Sequence, residues 1–474
     1  MFLDIFYYTL KIFHSHPLPK EADTELIRIA RAIVPLSFII FSATAVFALL
    51  KDRIRLFLAR FTLKEHCIIV GLSHMSLRLM DELIKRGERV VIINDNEESP
   101  FLATCKAKGI LVLNEEPTNI NSFVKSRFRE AKRFYVFLDD DLKNIKIAKM
   151  LFEKLKQIKR DYHIHVHISD FWLKVLYDSE GVLHTQSNSD KANITIQAIN
   201  FYDELARYLF LTMPIDNGVD KVFKPWIIIV GTGRVGQSLL YHTIKMKVYP
   251  EDRKLRITMI GPKANELGEL FFSRFSKRIL HCDNQQEELI FNDLILEFKR
   301  ADYFKLSHPI DLGISMSNET PQAVFICAED DIETKKLKGE LDKFLKTNIV
   351  TTCTLYVSYY TEIEEKNSFN VFKLASKSLL EKDEIDKLAR LIHTDFIIKD
   401  LRAMFNLEIE NIDPTKVEEE IRIKYESKYR ELIESRGESR KFWGELKEIY
   451  KNSNRNQADH IFEKLRIISP SKKL

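Results

Sequence analysis

Short runs of apolar residues alternate with amphipathic stretches in two successive series along the chain. The apolar runs, which we interpret as strands, start at residues 66, 90, 109, 133 and 162 in the first series and at 226, 255, 278 and 323 in the second. Apolar positions at helical spacing fill the intervals 75–85, 120–131 and 143–158. Strands that alternate with helices predict parallel sheets with right-handed crossovers. The pattern therefore predicts an α/β fold with two tandem parallel-sheet lobes, over residues 62–215 and 222–375.

Acidic residues follow the fourth strand of both series. Leu138 is followed by three aspartates, and Cys327 is followed by Ala, Glu329, Asp330 and Asp331. The same order of elements with the same acidic ending indicates an internal duplication.

From about residue 384 the pattern is helical only, which predicts a C-terminal all-α domain over residues 384–469. Within it, the highly charged stretch 416–441 is typical of a solvated helix or a flexible arm.

The N-terminal residues 1–60 carry the strongest membrane signal in the chain. Residues 32–50 contain no charge and, as a helix of about 28 Å, match the thickness of a bilayer core. A buried core helix and an uncleaved signal sequence are the alternatives. Basic residues just beyond the run (Lys51, Arg53, Arg55 and Arg60) place the rest of the chain in the cytoplasm. We expect a single-pass protein of the cell inner membrane, in which residues 1–14 form an interfacial helix or part of another span.

Composition narrows the function classes only slightly. The 474 residues include 45% hydrophobic and 30% charged residues, which allows a sizeable core. A net charge of +4 gives no reason to expect nucleic-acid binding. Five cysteines without a Cys-x-x-Cys pair indicate reduced thiols, and Cys67 and Cys327 fall within predicted core strands.

A glycine-rich turn in the second lobe carries the most specific chemistry. The apolar run that starts at Trp226 leads into Gly231-Thr232-Gly233-Arg234-Val235-Gly236, and an amphipathic helix follows. In a Rossmann lobe the first glycine permits the turn, the second lets the backbone approach a pyrophosphate, and the third allows close packing. The helix N-terminus then presents N–H groups to an anion. We therefore predict a nucleotide site at residues 231–236.

The residues after the second strands modify this prediction. A Rossmann lobe that binds NAD usually has an acid there for the ribose. The first lobe has Asn94, and it also replaces two glycines by Ser73 and Ser76. The second lobe has Gly261 followed by Pro262 and Lys263. The first lobe is thus expected to be degenerate. Lys263 and Arg234 suit a more phosphorylated ligand, so the expected cofactor is NAD(P) or another nucleotide, although both may equally be surface charges.

Three histidines alternate along the predicted fifth strand, at His163, His165 and His167. Such spacing suits a metal site, but a strand covered by helices favours hydrogen-bonded structural histidines. We expect no metal.

Gly231–Gly236 and the segment Ala131–Asn144 resemble the RCK family, the TrkA-type NAD-binding domains that regulate potassium channels and uptake systems. The resemblance covers residues 62–365. It implies a cytoplasmic, usually oligomeric ligand-sensing assembly whose bound nucleotide changes the membrane part.

The C-terminal region is similar to the Ry domain, a repeat first described in ryanodine receptors. The similarity rests on Leu388–His393, on Trp443 with Leu446, and on Asn454–His460, whereas Thr394 and Phe396 depart from the family's usual Glu and Tyr. Two interpretations stay open. In one, the polar residues form a ligand site for an anionic small molecule; in the other, they cap and connect helices around Trp443 and Leu446. The candidate site residues are Arg390, His393, Trp443, Asn454, Arg455 and His460.

These features favour a membrane-anchored, nucleotide-sensing regulator or effector of ion flux, resembling those of potassium transport. We expect a homo-oligomer, with a separate pore subunit as a possible partner, and no catalytic residues. One alternative is a bacterial anti-phage defence effector that perturbs the membrane on binding a nucleotide signal. Further alternatives are an NAD(P)-dependent oxidoreductase, for which no catalytic residues are found, and a scaffold with two empty lobes.

Overall fold

The computed structural model describes most of the chain from residue 63 onwards. The described residues are 29, 33, 37, 39–46, 63–170, 173–174, 177, 193–212, 226–246, 255–275, 288–291, 294–301, 321–328, 330–347, 353–360, 367–406, 417–446 and 448–468.

The predicted membrane span at 32–50 falls largely outside the described residues. Within it, residues 33, 37 and 39–46 are helical, and most of their side chains are exposed. In the part of the chain that the structure describes, no helix combines the length and the apolar character needed to cross a bilayer. The span and the interfacial helix at 1–14 stay predictions.

The first lobe is built on a six-stranded parallel sheet in the order β3-β2-β1-β4-β5-β6. Its strands are β1 (His66–Val70), β2 (Val90–Asn94), β3 (Leu111–Asn114), β4 (Ala131–Val136), β5 (Asp161–His167) and β6 (Asn193–Ile199). Its helices are α1 (His74–Lys85), α2 (Leu102–Ala107), α3 (Ile120–Lys125), α4 (Asp141–Leu155) and α5 (Phe201–Thr212). Cys67 and Ile69 belong to one core and Ile68 and Val70 to the other, because neighbouring strand residues face opposite helix layers.

The second lobe has a seven-stranded sheet in the order β13-β12-β11-β7-β8-β10-β9. Its strands are β7 (Trp226–Val230), β8 (Leu255–Gly261), β9 (Glu288–Phe291), β10 (Leu294–Arg300), β11 (Ala323–Ile326), β12 (Thr354–Tyr359) and β13 (Ser368–Asn370). Its helices are α6 (Arg234–Met246), α7 (Ala264–Phe275), α8 (Asp331–Thr347) and α9 (Val371–Ile385). All pairs are parallel except β9 with β10. Both lobes thus have the Rossmann-like parallel sheet that the sequence predicts.

The third strand of the second lobe differs from the prediction. The segment 278–282 lies outside the described residues, and β10 occupies the place beside β8. Its pattern was missed because Glu297 interrupts the apolar run. This buried carboxylate accepts hydrogen bonds from Arg256 Nε at 2.7 Å and Thr258 Oγ1 at 2.8 Å. Paired in this way, a charge is tolerated inside the sheet.

The last helix of each lobe packs against the first helix of the other lobe. Helix α5 lies on α6, and α9 lies on α1, while α5 and α9 also pack on each other. Apolar residues of both lobes consequently belong to a single core, in which Leu79, Leu205, Leu239 and Val371 take part. The two lobes therefore share one continuous apolar interior.

Matching hydrogen bonds confirm the internal duplication. Asp140 accepts from the backbone N–H of Leu142, two residues on, and Asp330 likewise accepts from Ile332 N–H. Asp141 accepts from Ser169 N–H at 2.8 Å, and Asp331 accepts from Tyr360 N–H at 2.8 Å. In both lobes the second of these acids accepts a hydrogen bond from the segment after the next strand of the sheet, which is β5 in the first lobe and β12 in the second.

The C-terminal region contains α10 (Lys387–Phe405), α11 (Val417–Arg436) and α12 (Glu448–Ile468), with 3₁₀ turns at Glu438–Arg440 and Trp443–Glu445. Its described elements are all helices or 3₁₀ turns, in agreement with the predicted helical pattern. Helix α10 packs on both α11 and α12. Only Asp386 separates α9 from α10, so the C-terminal helices continue directly from the second lobe.

Candidate functional site

The glycine turn of the second lobe lies between β7 and α6. Strand β7 is buried along its whole length, and Gly231 extends the sheet by donating its N–H to the carbonyl of Ile260 at 2.9 Å. Gly231 has φ +142°, and a Cβ there would lie 2.2 Å from the carbonyl oxygen of Cys327. A Cβ on Gly236 would lie 2.1 Å from the carbonyl oxygen of Gly231. Glycine is therefore required at both ends of the turn.

The side chains around this turn have different environments. Thr232 is buried, and Gln237 Nε2 donates to its carbonyl at 3.0 Å, so a side chain of α6 lies across the turn. Val235 is buried in the shared core. Arg234 is exposed, and its guanidinium lies 5.8 Å from the ring centroid of Tyr202 at the start of α5. Arg234, the cationic residue of the turn, thus contacts the first lobe.

The end of β8 provides no acid for a ribose. Gly261 is buried, whereas Pro262 and Lys263 are exposed at the start of α7. The residues at the glycine turn fit the phosphates of a nucleotide. The carboxylate that usually binds the ribose of NAD is missing at the end of β8.

The corresponding turn of the first lobe has been modified. Gly71 keeps φ +94°, and a Cβ there would lie 2.7 Å from the carbonyl oxygen of Phe137. Ser73, in place of the second glycine, caps α1 by accepting from Ser76 N–H at 3.3 Å. Asn94 Nδ2 donates to the carbonyl of Asn96 at 2.7 Å and so serves its own turn. These contacts hold the turn itself together.

A small crevice of about 170 Å³ remains beside the first turn, between the ends of β1 and β4. In a parallel sheet of this strand order, ligands bind at this switch point. Arg234 of the second lobe and Phe372 of α9 reach the crevice. His74 also lines the crevice, where it stacks on Phe372 at 5.9 Å and meets Phe101 edge-on at 4.6 Å.

The sequence of the first lobe matches a model of the TrkA-N domain over residues 67–173. These residues are therefore similar to a TrkA-N domain. We call the lobe that contains them the TrkA-N-type lobe. The family resemblance drawn from the sequence is thereby confirmed over this range.

Further comparisons are more distant. No curated protein sequence matches the chain significantly. The GsuK channel is similar at 15% identity over 81% of this chain and 89% of its own, with a TM-score of 0.44. The GsuK channel bound to NAD has 12% identity, coverage of 81% and 78%, and a TM-score of 0.43. The TrkA-N domain of the inner membrane protein ybaL from Escherichia coli has 16% identity, coverage of 32% and 98%, and a TM-score of 0.24. Likeness at this level gives no ligand or partner for this chain.

The three histidines of β5 in the TrkA-N-type lobe have separate environments. His163 is exposed, and His165 stacks on Tyr135 at 4.9 Å. His167 is buried against Phe201 at 4.7 Å, and burial lowers its pKa to about 4. Among the described residues, no group of three or more His, Cys, Asp or Glu side chains is arranged to hold a metal.

The structure brings five of the six candidate residues of the C-terminal region together around Trp443. His393 Nε2 donates to the carbonyl of Lys441 at 2.7 Å, and its ring meets Trp443 at 6.0 Å. Asn454 Nδ2 donates to the carbonyl of Tyr450 at 2.9 Å and lies 3.4 Å from His393 Nδ1. Burial between α10 and α12 lowers the pKa of His393, which favours the neutral form of the ring.

Arg390 and Arg455 lie over the ring of Trp443. His460 has no contact of this kind with Trp443 among the described residues. The guanidinium carbons of Arg390 and Arg455 lie 5.8 and 5.7 Å from the Trp443 ring centroid. Arg455 Nε also donates to Asp386 Oδ2 at 2.8 Å, which neutralises its charge. His460 is partly exposed on α12. The described contacts agree with helix-connecting roles for His393, Asn454 and Arg455.

Sequence reasoning missed two asparagines that occupy equivalent positions in the two lobes. Asn200 Nδ2 donates to the carbonyls of Ile168 and Ser169, while its Oδ1 accepts from the first turn of α5. Asn370 Nδ2 donates to the carbonyl of Tyr360, and its Oδ1 accepts from Lys373 N–H at the start of α9. Each residue caps the helix that crosses to the other lobe. Aligning the ends of the two series in the sequence would have revealed them.

Proposed function

We propose that the chain binds a nucleotide at the glycine turn of its second lobe and uses that binding to regulate ion flux across a membrane. In this proposal the chain is a sensor and not an enzyme. It is anchored at the cell inner membrane by one N-terminal span, with its lobes in the cytoplasm, and it assembles as a homo-oligomer, alone or with a separate pore subunit.

The glycine turn is the observation on which the proposal rests. Backbone contacts of 2.2 and 2.1 Å to any added Cβ leave no room for side chains at Gly231 and Gly236. Packing at Gly236 brings the start of α6 against the end of β7, where backbone N–H groups attract phosphate. Because Gly261 replaces the ribose acid, we favour NADP or another phosphorylated nucleotide over NAD.

Helix α5 offers a route from this site to the rest of the molecule. On one side Asp203 accepts from His242 of α6 at 2.6 Å, and on the other Glu204 pairs with Lys382 of α9 at 2.7 Å. Arg207, one turn further along, bonds to Asp459 of α12. A ligand that shifts α6 would therefore act on α9 and on the C-terminal helices through one helix.

The same contacts bear on the C-terminal region. We propose that this Ry-like region receives the conformational change, since its polar residues around Trp443 connect helices. Ligand binding by Arg390 and His460, which project from α10 and α12, stays a second possibility within the proposal.

Mass spectrometry of small molecules that co-purify with the detergent-solubilised protein tests the ligand. The proposal expects a nucleotide in the wild-type protein and none in Gly233→Asp, which adds a carboxylate at the phosphate position. Gly339→Asp, on the exposed face of α8, is the matched control and should keep the nucleotide. If no nucleotide co-purifies, and NAD(H), NADP(H), ATP and ADP-ribose cause no thermal shift, the sensor proposal is wrong.

The output needs a separate measurement. Wild-type protein in liposomes should change the efflux of a potassium tracer when the identified nucleotide is added, and Gly233→Asp should not respond. Steady consumption of a reduced nicotinamide cofactor would instead favour the oxidoreductase.

A further inference from the structure

A second cavity, of about 310 Å³, lies between the two lobes beside the glycine turn, from which only Arg234 lines it. The second lobe contributes residues of α6, α7, β8 and β10, and the TrkA-N-type lobe contributes the ends of β5 and β6 with Tyr202. None of Gly231, Gly233 and Lys263 lines it. A ligand in this cavity would contact both lobes at once.

The cavity marks a difference between the two duplicated halves. Tyr202 follows Asn200 by two residues as Phe372 follows Asn370, and Arg234 occupies the position of His74. Both pairs stack across the lobes, at 5.8 Å for Arg234 on Tyr202 and 5.9 Å for His74 on Phe372. In the first half the ring of Phe101 meets that of His74 at 4.6 Å, whereas in the second half the cavity lies beside Arg234.

The walls of this space have two characters. One wall is apolar and includes Leu270, Phe271 and Phe298, with Leu270 still 42% exposed at the mouth. The other wall is polar and carries Arg234, which has no carboxylate at ion-pair distance among the described residues. Asp170, also in the lining, accepts from Leu173 N–H at 2.8 Å and so serves a local turn. A guanidinium without an ion-pair partner that faces an apolar wall suits a planar apolar ligand with an anionic group.

We propose that this interlobe cavity binds a small aromatic anion, whose ring system lies against Leu270, Phe271 and Phe298 and whose acidic group pairs with Arg234. The volume is at the lower end of ligand pockets, roughly 300–1,000 Å³, and fits a bicyclic ring better than a dinucleotide. The cavity shares Arg234 with the proposed nucleotide site, but binding of the aromatic anion requires no nucleotide at the glycine turn. Because the ligand contacts both lobes, its binding stabilises them against each other.

Titration with 2-naphthoate and its uncharged analogue 2-naphthamide, in nucleotide-free buffer and followed by calorimetry, tests the proposal. We expect saturable 1:1 binding of the carboxylate. The amide should bind with an affinity that is lower by about tenfold or more. Arg234→Met should remove the preference for the carboxylate. Leu270→Trp should fill the mouth and weaken naphthoate binding by about tenfold or more, and Leu267→Phe is a second, smaller obstruction in the same helix.

Leu391→Trp is the matched control, because Leu391 is also 42% exposed but lies on α10. The Leu391→Trp variant should bind naphthoate with the affinity of the wild type. Thermal melting of each variant shows that it is folded. The proposal is wrong if the carboxylate and the amide bind equally to the wild type, if neither binds, or if Leu270→Trp and Leu267→Phe leave naphthoate binding unchanged.

Discussion

Arg207 and Asp459, 252 positions apart in the chain, are joined by two hydrogen bonds of 2.9 and 3.1 Å. The same guanidinium bonds to Asp386 at 3.0 Å, and Asp386 in turn bonds to Arg455. All four side chains are buried, and their charges balance. This network fastens the C-terminal helices to α5. Burial opposes ionisation of Asp386, but the surrounding Arg455, Lys382 and Arg207 hold its pKa below the usual value.

Breaking this network should detach the C-terminal helices. Asp459→Asn leaves Arg207 with a weaker partner in a buried place, and we expect a loss of about 3–5 kcal/mol in unfolding free energy. Replacing the pair together, by Arg207→Met with Asp459→Leu, should cost less than either single change, because no buried charge is left alone. Urea unfolding of the wild type, of Arg207→Met and Asp459→Leu separately and of the double variant measures this coupling, and Asp459→Asn is compared with them.

The control for that cycle is Asp395→Asn, which breaks the exposed pair with Lys399 on α10. Its effect should stay within about 1 kcal/mol. Equal losses for the exposed and the buried changes would mean that the network does not hold the C-terminal helices in place.

The turn glycine Gly236 should tolerate no side chain. Gly236→Ala places a methyl group 2.1 Å from a backbone oxygen, and neither α6 nor β7 can yield without disturbing the shared core. We expect a loss of about 3 kcal/mol or more in stability, together with loss of any bound nucleotide. Gly339→Ala, in an exposed helical position with open space around it, should instead stabilise the protein by about 0.5–1 kcal/mol. Thermal and urea unfolding compare the two, and a stable Gly236→Ala variant would contradict the observed packing.

Much of this fold follows from local patterns in the sequence. The apolar runs at β1, β2, β7 and β8 are found within one or two residues, because a strand buried on both faces is apolar throughout. The sequence pattern did not predict β10 because Glu297 interrupts its apolar run. That charge is tolerated in the sheet because residues of the neighbouring strand pair with it.

The contacts between distant parts of the chain could not be found in this way. Nothing local marks Arg207 as the partner of Asp386 and Asp459, since charged residues of a helix usually face solvent. The convergence of His393 and Asn454 on Trp443 likewise depends on how α10 meets α12. The sequence motifs point to these residues, but their contacts depend on packing between helices that no local pattern encodes.

Two buried histidines should make the TrkA-N-type lobe sensitive to mild acid. Burial lowers the pKa of His66 and of His167 from 6.5 to about 4. The unfolded chain therefore binds these protons at a higher pH than the folded chain. Stability should be fully present above about pH 6.5 and should fall as the pH drops towards 4, by about 3 kcal/mol for each histidine.

Urea midpoints between pH 7 and 4.5 measure this loss. The double variant His66→Gln with His167→Gln should show a much flatter dependence, because glutamine does not titrate and its amide can still donate to the carbonyl of Ser126 that His66 Nε2 contacts at 2.9 Å. Carboxylates such as Asp386, whose pKa is lowered, act only below this window. An unchanged slope in the double variant would assign the acid sensitivity to other groups.

The four cysteines among the described residues should be nearly unreactive in the folded protein. Cys67, Cys105 and Cys327 are buried and free, as expected from their apolar surroundings, and Cys353 is partly exposed. Burial raises the pKa of Cys67 and Cys105 to about 11 and that of Cys327 and Cys353 to about 12. At pH 8 roughly one thiol in a thousand or fewer is then a thiolate, the form that reacts. Alkylation with iodoacetamide, read by peptide mass spectrometry, should label these four positions slowly in buffer and rapidly in urea, where each cysteine serves as its own control. Fast labelling of Cys327 under native conditions would show that the segment after β11, against which Gly231 packs, opens readily, and the closed turn would then be only one of its states.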